Sequence, residues 1–145
     1  MHIIKQMNII SEHDIHEWKQ YLTSEDYNYL VEFIENIKNN ILNDKIIILF
    51  GECKTGKTTL TNTIKTYLGS NKCSIYALEE NNTNEDVNNL IVFRGNFETN
   101  KGMKKIKNII KKNKYCIVET NCIENINTDI LNDSKIIKME HVFKP

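Results

Sequence analysis

Lys45-Ile46-Ile47-Ile48-Leu49-Phe50-Gly51-Glu52-Cys53-Lys54-Thr55-Gly56-Lys57-Thr58 joins an unbroken apolar run to a turn bounded by two glycines. Five consecutive apolar residues, Ile46 to Phe50, read as a strand buried on both faces, the pattern of a parallel sheet. The turn after it fits G-x-x-x-x-G-K-[ST], and such a match arises by chance in roughly one chain of this length in two hundred. Its physics is specific. The glycines let successive backbone N–H groups converge on phosphate oxygens, while the helix that follows aims its positive end at the same anion. Lys57 would neutralise the β and γ oxygens, and the Thr58 hydroxyl would hold Mg²⁺. Gly51, Glu52, Cys53, Lys54, Thr55, Gly56, Lys57, Thr58 and Thr59 are therefore the expected cofactor-binding residues, with ATP and Mg²⁺ as the ligands. The competing reading is a glycine turn that carries an exposed lysine.

Outward from this unit, strands and helices alternate. A helix is expected from Lys57 to Leu68, strands near Cys73 to Leu78 and Leu90 to Phe93, and a helix from Lys101 to Lys112 striped by Met103, Ile106, Ile109 and Ile110. A strand at Tyr115 to Glu119, a loop or short helix between Ile123 and Leu131, and a strand at Lys135 to Met139 follow. Alternation of this kind implies a parallel sheet built from crossover connections. Residues 1–43 read as a helical segment ahead of a core at 44–145. Ser24 looks like a helix cap there, and Tyr27, Leu30, Val31, Ile34, Ile37, Ile41 and Leu42 form one apolar stripe.

Composition narrows the function classes. The chain has 145 residues, 40% apolar and 26% charged, an ordinary globular mixture. Nineteen basic residues balance nineteen acidic ones, which excludes a globally basic nucleic-acid binder. No apolar run approaches the roughly 20 residues of a membrane helix, and the N-terminus lacks the order of a signal peptide. The expected location is inside a cell, cytoplasmic or nuclear. Arg94 is the only arginine, so mechanisms that need several are excluded. Cys53, Cys73, Cys116 and Cys122 contain no C-x-x-C pair and read as reduced thiols.

The segment Tyr115-Cys116-Ile117-Val118-Glu119-Thr120-Asn121 is an apolar strand with a polar end. An asparagine there would lie within reach of a γ-phosphate on the loop. With the strand–loop–helix unit and the tail from Asp129-Ile130-Leu131 through Val142-Phe143, the chain resembles the ATPase core of viral superfamily 3 helicases, a branch of the AAA+ class. The resemblance covers about residues 44 to 145. It implies a three-layer α/β P-loop NTPase with a mainly parallel five-stranded sheet in spatial order 5-1-4-3-2, hexamers that move on DNA, and a link to DNA replication. A clamp-loader subunit shows a similar tail and is the nearest competitor.

Two departures from that pattern bear on hydrolysis. The family places acidic residues directly after the third strand, where this chain has Arg94-Gly95-Asn96-Phe97. Three readings remain: Glu98 on a longer or bulged strand, Glu79 with Glu80 if Ile75–Leu78 bears the acid, or no carboxylate at all. Lys57, Asn121 and Glu98 are the catalytic candidates. The family also lends an arginine to the neighbouring subunit from before the final strand. Here that stretch is Leu131-Asn132-Asp133-Ser134-Lys135, and a lysine does not reproduce the bidentate geometry. Hydrolysis is expected to be weak or lost.

Lys101, Lys104, Lys105, Lys107, Lys111, Lys112 and Lys114 put seven positive charges in fourteen residues with no acid among them. They read either as a solvated face or as a contact to a DNA backbone. His13 and His16 lie in an acidic helix face rather than at a metal. Trp18 and Tyr21 read as packing residues. A small P-loop kinase needs lid arginines that this chain lacks, and a non-catalytic module stabilised by nucleotide is the remaining class. A second copy of the chain or a replication-complex partner fits the leading reading.

Overall fold

The computed structural model describes residues 15–52, 55–78, 80, 88–95, 100–124 and 126–140. A 3-10 turn, Ile15–Gln20, precedes α1 (Ser24–Lys38), β1 (Ile46–Phe50) and α2 (Lys57–Leu68). Then follow β2 (Cys73–Ala77), β3 (Leu90–Arg94), α3 (Asn100–Ile110), β4 (Cys116–Thr120), α4 (Thr128–Asn132) and β5 (Ser134–Lys138). The sheet order is β2-β3-β4-β1-β5, and every neighbouring pair runs parallel. The result is an α/β fold with β1 flanked on both sides.

Period-two alternation along each strand divides the core into two layers. Ile47 and Leu49 of β1, Leu90 and Val92 of β3, and Ile117 of β4 pack with α1, α2 and the 3-10 turn. Ile46, Ile48, Ile91, Phe93, Cys116 and Val118 face α3 and α4 through Met103, Ile106, Ile109 and Ile130. The N-terminal helical residues Trp18, Leu30, Phe33 and Ile34 therefore share a core cluster with the sheet.

The N-terminal helix differs from the sequence expectation at both ends. Its cap is Thr23 rather than Ser24, with Thr23 Oγ1 accepting from the Asp26 N–H at 3.1 Å. At its other end Asn40 adopts φ 57°. The Ile41 N–H then reaches Asn36 O at 2.8 Å and the Asn40 N–H reaches Ile37 O at 3.3 Å, the paired bonds of a Schellman stop. The stripe thus ends at Ile37, and Ile41 and Leu42 lie exposed beyond it. Residues 1–14 of the expected helical segment, His13 among them, lie outside the described residues.

Candidate functional site

The loop hangs between the end of β1 and the start of α2. The Phe50–Gly51 peptide is held on both sides: the Gly51 N–H donates to Thr120 O of β4 at 3.2 Å, and the N–H of Met139, just past β5, donates to Phe50 O at 2.7 Å. A Cβ on Gly51 would lie 2.4 Å from Met139 O and 2.8 Å from Thr55 Oγ1, so only glycine fits. Gly56 takes φ 100° at the N-cap of α2, a conformation that costs other residues energy. The Thr55 hydroxyl donates to Glu52 O at 2.9 Å. Lys57 Nζ donates to Gly51 O at 2.5 Å and to Glu52 O at 2.7 Å, so its ammonium lies over the loop. Cys53 and Lys54 lie outside the described residues. Thr59 sits in the first turn of α2, where its carbonyl accepts from the Thr63 hydroxyl at 2.9 Å.

The carboxylate beside Thr58 is Glu119. It occupies the face of β4 that Ile117 occupies two residues earlier, and that face looks onto α2. Thr58 Oγ1 donates to Glu119 Oε1 at 2.9 Å, and Thr61 Oγ1 donates to Oε2 at 2.5 Å. Arg94, directly across the β3–β4 ladder, donates from Nε to the same Oε2 at 2.8 Å. Its Nη2 reaches Thr61 Oγ1 at 3.1 Å and Asn62 Oδ1 at 3.2 Å. Glu119 is only 4% exposed, against 34% for Arg94. A carboxylate this deep needs its charge answered and its lone pairs filled, and three donors do both.

The sequence reading missed Glu119 as a site residue. A signal existed: it is an acid inside the end of an apolar strand, with the same parity as Ile117, just as Arg94 has the parity of Val92. The expected order 5-1-4-3-2 already put the fourth strand beside the first, but the acid was sought only at the ends of the second and third strands.

Asn121 follows β4 immediately and is exposed. Thr120 beside it is buried, and its hydroxyl donates to Cys122 O at 3.0 Å. Glu98 and Glu79 lie outside the described residues. Glu80 is exposed beyond β2, an edge strand separated from β4 by β3. Lys135 is engaged elsewhere: it pairs with Asp26 at 3.2 Å and Glu25 at 3.5 Å and lies over the Tyr29 ring. Of the lysines around α3, Lys107 pairs with Asp129 at 3.2 Å and Lys114 with Asp133 at 3.8 Å. Lys105 donates to the carbonyls of Leu78 and Glu80, whereas Lys104, Lys111 and Lys112 are exposed.

A groove of about 370 Å³ opens beside the loop, lined by Phe50, Gly51, Glu52, Thr55, Lys138, Met139 and Glu140. Among the described residues no group of three His, Cys, Asp or Glu side chains could hold a metal alone. A nucleotide-bound Mg²⁺ needs little from the protein, because phosphate oxygens and water supply most of its ligands. Thr58 fits that role, since donating its proton to Glu119 leaves its oxygen lone pairs for a cation. Among the described residues no helix is long and apolar enough to cross a membrane.

No protein-family model matches the chain, and no curated protein matches it. Solved structures do. A chain of the E. coli MS115-1 HORMA:CdnC:Trip13 complex aligns at TM-score 0.51 and 11% identity, over 81% of this chain and 59% of that one. C. elegans PCH-2 aligns at TM-score 0.51 and 11% identity, over 85% of this chain and 44% of that one. This chain thus spans about half the length of the solved chains it resembles, and at that identity the likeness is one of fold.

Proposed function

We propose that this chain binds a nucleoside triphosphate, ATP in the first instance, on the loop Gly51–Thr58, in an AAA+-type core related to superfamily 3 helicases and serving a replication assembly. The observation that carries the reading is Thr58 at the N-terminus of α2, its hydroxyl bonded to a buried carboxylate. Helix dipole, loop amides and Lys57 all favour a polyanion at that point. Read from β5, the strand order is 5-1-4-3-2, the order the family resemblance implies, which supports the AAA+ assignment. The likeness to the two solved structures supports the fold alone.

Hydrolysis is weak or absent in this reading. Glu119 already accepts from Thr58, Thr61 and Arg94, so it is poorly placed to polarise an attacking water. The chain's only arginine is committed within the site, and Lys135 is tied to α1. Neither is offered to a neighbouring subunit's γ-phosphate. Lys57 would bind the β and γ oxygens, Thr58 would hold Mg²⁺, and Asn121 would approach the γ-phosphate. Bound metal would add charge neutralisation at the phosphates. The same clamp on Glu119 favours, as a second reading, a non-catalytic module that nucleotide stabilises by binding the native state. Contact of the Lys101–Lys114 run with a DNA backbone would fall, among the described side chains, to exposed Lys104, Lys111 and Lys112.

Calorimetric titration of ATP and ADP, followed by single-turnover hydrolysis, tests the reading. Binding that Lys57→Ala weakens by about a hundredfold, with slow or no turnover, is expected. Lack of binding at millimolar ATP would refute it, and fast turnover abolished by Lys57→Ala would refute the statement on hydrolysis.

A further inference from the structure

We propose that Arg94 is a resident cation of the phosphate site, and that the loop consequently takes up nucleoside triphosphate with little dependence on divalent metal. This rests on the nucleotide reading above. In the usual arrangement an acidic site and an acidic nucleotide both require the metal's charge. Here the balance differs. The described charges around Thr58 are Lys57 and Arg94 against the buried Glu119, with Glu52 exposed to solvent. Thr58 and Arg94 occupy opposite oxygens of one carboxylate. A divalent ion approaching the Thr58 hydroxyl therefore meets a carboxylate already neutralised, with a guanidinium behind it, and gains less than it would from a free acid. A triphosphate without metal meets Lys57, a helix N-terminus and a carboxylate whose repulsion Arg94 already answers.

Arg94 is held for this role. Its two outer bonds, to Thr61 and Asn62, lie on successive residues of α2. Parity along β3 aims it at the same helix, because Leu90 and Val92 share the layer of α2. Arg94 is a positioning residue here: it acts through Glu119 and through the field at the loop.

The test is ATP affinity, measured calorimetrically on the full chain in excess Mg²⁺ and again in EDTA. For the unmodified chain the two values should agree within about threefold. Arg94→Met should lose about tenfold or more in EDTA and distinctly less in Mg²⁺, whereas Arg94→Lys, which keeps the charge but not the guanidinium's fork of donors, should fall between Arg94→Met and the parent. Circular dichroism establishes that each variant is folded, and if Arg94→Met is not, the parent and Arg94→Lys titrations still decide. A parent that loses tenfold or more in EDTA overturns the inference while leaving the nucleotide reading intact. An Arg94→Met profile identical to the parent's overturns it too. No uptake in either medium overturns the nucleotide reading, and the inference with it.

Discussion

Glu119 shows how far one buried charge depends on its neighbours. Removing one partner of a buried pair leaves the other desolvated and unanswered, a loss of roughly 3–5 kcal/mol when both are deep. Arg94 keeps 34% of its exposure, so solvent screens part of the loss, and Arg94→Met should cost about 2 kcal/mol in urea unfolding. Adding Glu119→Leu to that variant should restore part of the stability, and a double-mutant cycle checks the coupling. Thr61→Val, which strips a donor from the carboxylate, should cost about 1–2 kcal/mol by the same measurement. The turn after β1 and the helix start at Lys57 were legible from sequence because the spacing of Gly51 and Gly56 is a local pattern. Glu119 was not, since its meaning comes from a helix residue sixty-one positions away. The lysine run was legible as composition only; which of its charges are spent on Asp129, Asp133 and backbone carbonyls is set by the packing of α3.

At the scale of elements, backbone conformation decides where each piece stops. Gly56 sits at φ 100°, so Gly56→Ala should destabilise by about 1–2 kcal/mol and weaken any anion binding by α2. The converse applies at Asn40, whose φ of 57° suits glycine better: Asn40→Gly should stabilise by about 0.5–1 kcal/mol, seen as a higher melting temperature. Helix periodicity correctly identified Tyr27, Leu30, Ile34 and Ile37 as core. It overran into Ile41 and Leu42 because an apolar stripe carries no information about a left-handed stop. The strands were read nearly to the residue, since runs such as Ile46–Phe50 and Cys116–Val118 are buried on both faces.

For the whole molecule, one buried and two half-buried ionisable groups set a response to alkali. Burial pushes the Cys73 thiol from 9.0 up to about 11. Burial first, and then the hydrogen bond to Asp44, raises the Tyr29 phenol above 10.0. Partial burial lowers Lys135, but Asp26 and then Glu25 outweigh it and raise the ammonium above 10.5. All three folded-state values lie above those of the unfolded chain. Their contributions are therefore complete at neutral pH and are lost as pH rises through the folded values. Thermal stability should hold from neutrality to about pH 9 and decline beyond it, and Tyr29→Phe should flatten the decline in a pH-resolved melting series.

Met139 gives the sheet a mechanical link that its sequence does not advertise. Bonded to Phe50 and seated against Gly51, it makes the residue just past β5 a buttress for the start of the turn between β1 and α2. A shift of β5 along β1 is thereby delivered to that turn at one remove, like a lever on a latch.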